Sequence, residues 1–472
     1  MASADQEKQA QAMENLEGFP PLSPLSQIMH SLTIIVVAGF DVPFDKSQTV
    51  ELLKAMHTTS DPRLFSVIVT DRKGVHRWKK VTQVAYEDHI FVASFPEGLS
   101  MEDYDKHFKD YLTKVSVTPF SDNLPPWEVH AIMYPTSNGA GSLVFKFSHA
   151  LGDGYSSLGS IMTLCRREDD PSLPITFPSS TSKAGRKNSW SRSASVLISW
   201  FINTVRDSAV STLQGTFLRD DKTPIRSGTP PVGLQPMEIS PVSFSLDCIK
   251  RIRSKLGATV NDVVIGILSY AIQLYIQRMD FISSGARVTA LIPLNMRMLN
   301  GYQDIGDMLK ANLWGNRFGL LSISLPSFSD EEKVDPLHFI TSSRDNIRKK
   351  KNSAAVHFSS GLLTMLNNVL GPKALAGFIK SSFRNTSTTI STVVGPTHKI
   401  SLENHPVKRC YFTVVGAPQD VVFTIASYME ELCIVATAEK SFIDSNVLIS
   451  CVKKAFEDIY QAACGINKVE LK

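Results

Sequence analysis

The residues best suited to do chemistry stand together at His149, Ala150, Leu151, Gly152, Asp153 and Gly154, directly after the run Ser142 to Ser148. Imidazole has an unperturbed pKa of about 6.5, so a histidine can remove a proton near neutral pH. An acid four residues on can fix the shape of the loop that carries it. Gly154 admits a tight turn where a side chain would obstruct. Taken alone, an H-x-x-x-D-G pattern is a weak signal, because a histidine satisfied in a core or loop reads the same way. Ser156 and Ser157 follow closely and raise serine-hydrolase chemistry, but the chain has no G-x-S-x-G elbow to present such a nucleophile.

The elements around this motif must deliver the histidine to a loop. Ser142 to Ser148 reads as a strand, with an Asn138-Gly139 turn signal before it that predicts a hairpin. Leu158, Ile161, Met162 and Cys165 follow at helical spacing and give one apolar face that would cover a sheet. Leu32 to Val37, Leu64 to Thr70, Phe91 to Phe95 and Trp127 to Met133 read as further strands. Beyond residue 235, Ile249, Ile252 and Leu256 mark a helix stopped by Gly257. Thr259 and Asp262 then have the spacing of a capped helix start, opening a segment to Gln277 that is apolar on nearly every side and belongs in a core. Cys410 to Val415, Val421 to Tyr428 and Leu432 to Ala436 look like strands, and a last helix runs from Ser445 to just before Gly465.

Bulk properties narrow the function class. The chain has 472 residues, enough for two or three ordinary domains. Its net charge of +4 is too mild to imply nucleic acid, and there is no P-loop or Gly-rich dinucleotide fingerprint. The six cysteines are scattered without a C-x-x-C pair, which argues against a metal site and fits a reducing, cytosol-facing compartment. Met1 to Gly18 is polar, without the apolar centre of a secretory signal, and reads as a disordered tail. The Asn385-Thr386-Ser387 sequon leads into an apolar run and is read as chance. Asp330 to Lys333 and Arg348 to Lys351 are read as solvated faces, although the second could attract phosphate groups or anionic lipid.

Several short motifs, in their order and spacing, make the chain resemble the plant branch of the bifunctional wax ester synthase/diacylglycerol O-acyltransferase family. They are Pro21-Leu22-Ser23-Pro24, Pro126-Trp127-Glu128, the His149 to Gly154 loop, Asn261-Asp262, Leu294-Asn295-Met296-Arg297, Gly315-Asn316-Arg317-Phe318-Gly319, and Ser391-Thr392-Val393-Val394-Gly395-Pro396. The resemblance spans Pro21 to Ala463 and has two departures. Ser148 stands where many members have the first of two histidines, and Thr392 replaces an asparagine. The second histidine is the one that aligns with His149. No Asp-Phe-Gly-Trp-Gly signature is present, which argues against the related soluble plant acyltransferases.

The resemblance implies a two-domain CoA-dependent acyltransferase fold like that of chloramphenicol acetyltransferase, of α/β class, with mixed sheets and an active-site tunnel between domains. It implies acyl-CoA as co-substrate, a fatty alcohol or diacylglycerol as acceptor, and no cofactor or metal. His149 would be the general base. Asp153 would brace the loop and pair with an arginine, for which Arg297 is the candidate. Asn261 is a candidate oxyanion donor, its alternative being a helix-start amide, while Trp127, Gly154 and Asp262 are motif residues with structural roles.

The expected layout is a tail at 1–18, an N-terminal domain at 19–170, a crossover at 171–237 and a C-terminal domain at 238–472. Within the crossover, Lys183, Arg186, Lys187, Trp190 and Arg192 precede the apolar Ser193 to Val205 segment. That order fits either a helix lying in a membrane interface or a surface loop leading to a packed helix. A cytosol-facing membrane surface of the endoplasmic reticulum, and also the plasma membrane, is the expected location. Two other readings remain open from the sequence: an acyltransferase of the same fold acting on a soluble alcohol or amine, and a lipid-binding relative that has lost the chemistry.

Overall fold

A computed structural model describes residues 18–44, 46–59, 61–175, 219–229, 234–281, 285–297, 313–328, 335–352 and 375–465. The tail, the basic and apolar crossover segment from Lys183 to Val205, and the Asp330 to Lys333 cluster lie outside the described residues. The chain forms two compact units, each an α/β structure with a mixed sheet.

The first unit comprises 1–176, 304–317 and 398–416. Its sheet runs in the order Ile90–Val92, Trp127–Ile132, Gly141–Ser148, Thr33–Phe40, His405–Val415, Ile400–Leu402 and Cys165–Arg167. The first pair is parallel and the others antiparallel. Thr33–Phe40 is central and apolar along nearly its whole length, so it needs a partner on both edges. Gly141–Ser148 supplies one, and His405–Val415 supplies the other in register from Thr33↔Val415 to Ala38↔Cys410. That pairing departs from the contiguous layout: among the described residues, 313–317 and 398–416 belong to the first unit. Of the crossover, the described residues 219–229 and 234–237 belong to the second unit. The helix after the histidine loop covers Gly154–Met162 and ends there; Cys165 opens a strand instead of continuing the apolar face.

Behind the histidine strand lies a buried charge network. Glu128 and Lys146 face each other across the hairpin, and Lys146 Nζ donates to Glu128 Oε2 at 2.9 Å and to the Thr118 carbonyl at 2.7 Å. The ammonium also sits 4.3 Å from the centre of the Phe120 ring. His130, two residues on and on the same face, bonds Glu128 at 3.3 Å and Tyr111 at 2.9 Å. Tyr111 comes from the helix Met101–Val117, which closes over this face. Burial works against the Glu128 charge, but the bonds from His130 and Lys146 outweigh it and hold the carboxyl below its usual range.

The second unit comprises 177–303, 318–397 and 417–472. Its sheet order is Phe318–Ser324, Thr289–Asn295, Thr388–Val394, Val421–Tyr428, Glu431–Glu439 and Met237–Ser245, with the third strand parallel to both neighbours. The helix Val260–Arg278 is long and apolar enough to cross a membrane, but most of it is buried among Pro336–Asn352, Ser445–Cys464 and the sheet. Asp220, within the crossover, accepts from the backbone N–H groups of Thr289 and Ser387 at 2.7 and 2.9 Å, and so fastens this part of the chain to the first residue of one strand and the residue just before another. Asn385, Thr386 and Ser387 are all buried, so the sequon is shut away from glycosylation.

Removing Lys146 would strand a buried carboxylate. Lys146→Ala is expected to lower the unfolding free energy by about 3–5 kcal/mol, whereas the paired change Glu128→Leu, Lys146→Met should restore most of it. Urea denaturation measures both, and a Lys146→Ala loss under ~1 kcal/mol, the level of an exposed pair, would refute the account.

Candidate active site

His149 follows the last residue of its strand, and its N–H donates to the Leu32 carbonyl at 2.8 Å, extending the ladder with Thr33–Phe40 by one step. The residue is 8% exposed. Burial pushes its pKa below the ordinary value of 6.5, because an imidazolium loses hydration there. Its own backbone carbonyl, the Asp153 carboxylate and the Asn316 side chain act in the opposite sense without overcoming burial. The ring is therefore neutral near pH 7, the state a proton acceptor needs.

Asp153 caps the helix Gly154–Met162: its Oδ1 accepts from the Ser156 N–H at 3.1 Å. Its Oδ2 accepts from the Arg317 N–H at 3.0 Å. Gly154 is the first helical residue, and the left-handed backbone that serves this loop belongs to Gly315, at φ 104°. A Cβ on Gly315 would stand 2.8 Å from Arg63 Nη1, and Arg63 is held by two bonds of 2.7 Å to Asp61. Ser156 Oγ donates to the Gly315 carbonyl and accepts from the Gly315 N–H, each at 3.0 Å. Such a hydroxyl is a fastening, not a nucleophile.

Asn316 completes the arrangement. Its Nδ2 donates to the His149 carbonyl at 2.8 Å and to Ser26 Oγ at 3.0 Å. Trp314 packs on Gly159, and with Leu64, Phe147, Leu151, Ser157 and Ser160 it lines a small cavity beside the loop. Residues 314–317 thus grip the His149 loop and the helix behind it at several points. Ser148, at the position of the alternative histidine, accepts from the Ala150 N–H at 3.3 Å and shapes the same turn.

His149, Asp153, Gly154 and Trp127 come together in the first unit. Trp127 is paired with Phe147 on the neighbouring strand, donates from Nε1 to the Leu64 carbonyl at 2.6 Å and stacks on His89. Asn261, Asp262 and Arg297 belong to the second unit. Asp262 forms a capping box with Thr259, and Asn261 is exposed on the first turn of that helix. Arg297 is buried, and its backbone N–H and Nη1 donate to Asn295 Oδ1 at 2.9 and 3.4 Å. Sequence reasoning named Gly315-Asn316 as a motif and weighed Ser156 only as a hydrolase nucleophile, but gave Asn316 and Ser26 no role. Their spacing in the chain carries no sign that Asn316 meets the His149 loop or that Ser26 meets Asn316.

The family comparison bears directly on this loop. A sequence model of the wax ester synthase/diacylglycerol acyltransferase catalytic domain matches residues 28–264, and one of the C-terminal domain of the same family matches 314–460. The chain belongs to this family. Among its relatives, wax ester synthase/diacylglycerol acyltransferase 4 of Arabidopsis thaliana is 27% identical, the match covering 90% of this chain and 86% of the relative. Member 11 from the same plant is 28% identical, with 90% of each chain covered. The fold is shared with the wax ester synthase/diacylglycerol acyltransferase from Marinobacter aquaeolei VT8, at TM-score 0.61 and 14% identity over 94% of this chain and all of that one (100%). It is shared also with the first condensation domain of the CDA synthetase, at TM-score 0.55 and 14% identity, covering 95% and 96%. The expected two-domain α/β fold with mixed sheets is the one observed.

A side chain at Gly315 would strain the backbone and press on Arg63. Gly315→Ala is expected to cost about 1–3 kcal/mol of stability. Urea unfolding reads this, and a variant as stable as the parent would show that the 314–317 grip tolerates displacement.

Proposed function

We propose that His149 is the general base in transfer of a long-chain acyl group from acyl-CoA to a fatty alcohol, giving a wax ester, and to diacylglycerol, giving triacylglycerol. The chain is an acyl-CoA-dependent O-acyltransferase by family membership. The observation that carries the catalytic reading is a buried, neutral imidazole at a strand end, on a loop held by Asp153 and residues 314–317. An alcohol is a poor nucleophile near neutral pH. The imidazole takes the hydroxyl proton as the oxygen attacks the thioester carbonyl. The tetrahedral intermediate then collapses, the carbon–sulfur bond breaks, and the same proton passes to the departing CoA sulfur. CoA is a co-substrate, and this scheme uses no other group.

Both lipid substrates partition into bilayers, which supports work at a membrane surface. We assign the cytosolic face of the endoplasmic reticulum, with the plasma membrane as a second site, on the strength of those substrates and of the basic and aromatic residues before Ser193 to Val205. Deleting Lys183 to Val205 should move the protein from pelleted membranes to the supernatant, and an unchanged distribution would remove that segment's role.

Two kinetic outcomes test the base. With palmitoyl-CoA and hexadecanol, His149→Ala should lower kcat by roughly 10²- to 10⁴-fold. Ester formation by the purified variant at the parent rate would exclude His149. Because the pKa of His149 is depressed, the rate should stay level across neutral pH and fall only as pH drops below about 6.5. An acidic limb centred above pH 7 would contradict the buried-base reading.

A further inference from the structure

We propose that the 66–80 hairpin of the first unit docks on the anionic headgroups of a bilayer and holds the His149 loop in a set position against it. The choice of a bilayer rests on the lipid substrates of the acyl-transfer reading, while the charge of the partner follows from the hairpin itself. Its two strands, Ser66–Thr70 and His76–Lys80, pair only with each other, in a small sheet of their own. Residues 61–81 hold six cations, Arg63, Arg72, Lys73, Arg77, Lys79 and Lys80, against two acids, Asp61 and Asp71. Their net +4 equals that of all 472 residues, so the rest of the chain balances to zero.

The local structure decides which of these charges face outward. Asp71 is used within the hairpin: one carboxylate oxygen accepts from the N–H groups of Lys73 and Val75 at 2.9 Å, and the other from Arg77 Nε at 2.7 Å. Asp61 is paired with Arg63. Both acids of the segment are thereby matched. Arg72 and Lys73 at the turn, and Lys79 and Lys80 at the far end, are exposed. Partly exposed apolar side chains lie among them: Val75 at the turn, Val69 opposite Arg77, and Phe19, whose carbonyl accepts from Arg77 Nη1 at 2.8 Å. Cations spread along a hairpin around apolar side chains match a plane of headgroups over an acyl layer, not one phosphate in a pocket.

The hairpin is also fastened to the site. The Gln27 side chain clamps the His76 backbone, donating from Nε2 to its carbonyl at 2.7 Å and accepting from its N–H at 3.0 Å. The Leu22 N–H donates to the same carbonyl at 3.0 Å, and the Trp78 N–H to the Pro20 carbonyl at 2.9 Å. Gln27 and Ser26 are neighbours on the helix Pro24–Met29. Ser26 Oγ accepts from Asn316, which holds the His149 carbonyl. A surface bound at the hairpin therefore stands at a set distance from the base, through a chain of short directional bonds.

The test combines Arg72→Gln, Lys73→Gln, Lys79→Gln and Lys80→Gln in the full chain. A control of equal charge change combines Lys250→Gln, Arg253→Gln, Lys255→Gln and Lys349→Gln, all exposed in the second unit. Each cation at an anionic surface contributes about fivefold to partitioning, so the hairpin variant should bind phosphatidylserine-containing vesicles roughly 100-fold or more weakly than the parent. The control should lose less than about threefold, because charges away from the contact are screened within ~10 Å. Contributions multiply, so the loss is readable whatever the crossover adds to binding. On vesicles of phosphatidylcholine alone, parent and hairpin variant should bind alike. Equal losses in hairpin variant and control, or no loss in the hairpin variant, would overturn the proposal. With a soluble short alcohol and a short acyl-CoA, the hairpin variant should turn over at the parent rate with the same KM for acyl-CoA. A raised KM with vesicle binding intact would assign the cations to the CoA phosphates and end the docking proposal. Vesicle binding is read without ester formation, so a parent inert on every alcohol would remove the acyl-transfer reading while the role of the hairpin is still decided.

Discussion

The Asp153 carboxylate is the brace on which the His149 loop depends. One oxygen holds the first turn of the helix that follows the loop, and the other holds the Arg317 N–H, 164 residues farther along the chain. A carboxylate that accepts backbone N–H groups on both oxygens has no need of substrate as a partner, and the bonds to a charged acceptor are stronger than neutral ones. The same carboxylate lies close enough to His149 to act on its titration, yet burial prevails and the ring remains neutral. Structural bracing and electrostatic tuning are thus two effects of one side chain.

Precision at the loop also requires that its strand not move. Gly141–Ser148 is flanked on both sides by paired strands, so the backbone before His149 cannot slide without breaking two ladders. A register shift by one residue would turn Lys146 to the apolar face and Phe145 and Phe147 to the polar one. The Glu128–Lys146–His130–Tyr111 network opposes such a shift, because each buried polar group there is matched to a partner at one register only. The network's cost in desolvation is offset by that matching, and its benefit is specificity of alignment.

The second unit rests on different physics. Its centre is the helix Val260–Arg278, apolar on nearly all sides and enclosed by two helices and a sheet. Here the driving force is removal of hydrocarbon from water. The polar exceptions serve boundaries: the Thr259–Asp262 box starts the helix, and Asp220 is tied to Thr289 at the start of one strand and to Ser387 just before another.

Much of this was legible in the chain. The central strand, the hairpin, the Gly257 helix stop, the buried helix and the closing helix all follow from periodicity and capping residues, which are local properties. The family was legible from the order of short motifs. Cys165 misled because helical spacing continues past Met162 in the sequence, while the backbone there turns into a strand that pairs with Ile400–Leu402. The unit boundaries misled because contiguity in sequence says nothing about which strand fills an open sheet edge.

By itself, then, the sequence determined the type of chemistry: a histidine at a strand end, an acid four residues on, and a set of motifs that name an acyltransferase family. The tertiary structure decided what holds that histidine. Gly315 and Asn316 reach the loop and the helix behind it, and Ser26 reaches Asn316, only because the fold brings the 314–317 segment and the 24–29 helix together there. Hydrogen bonds are short and directional, so partners more than a hundred residues apart are chosen by the fold and leave no periodic trace in the chain.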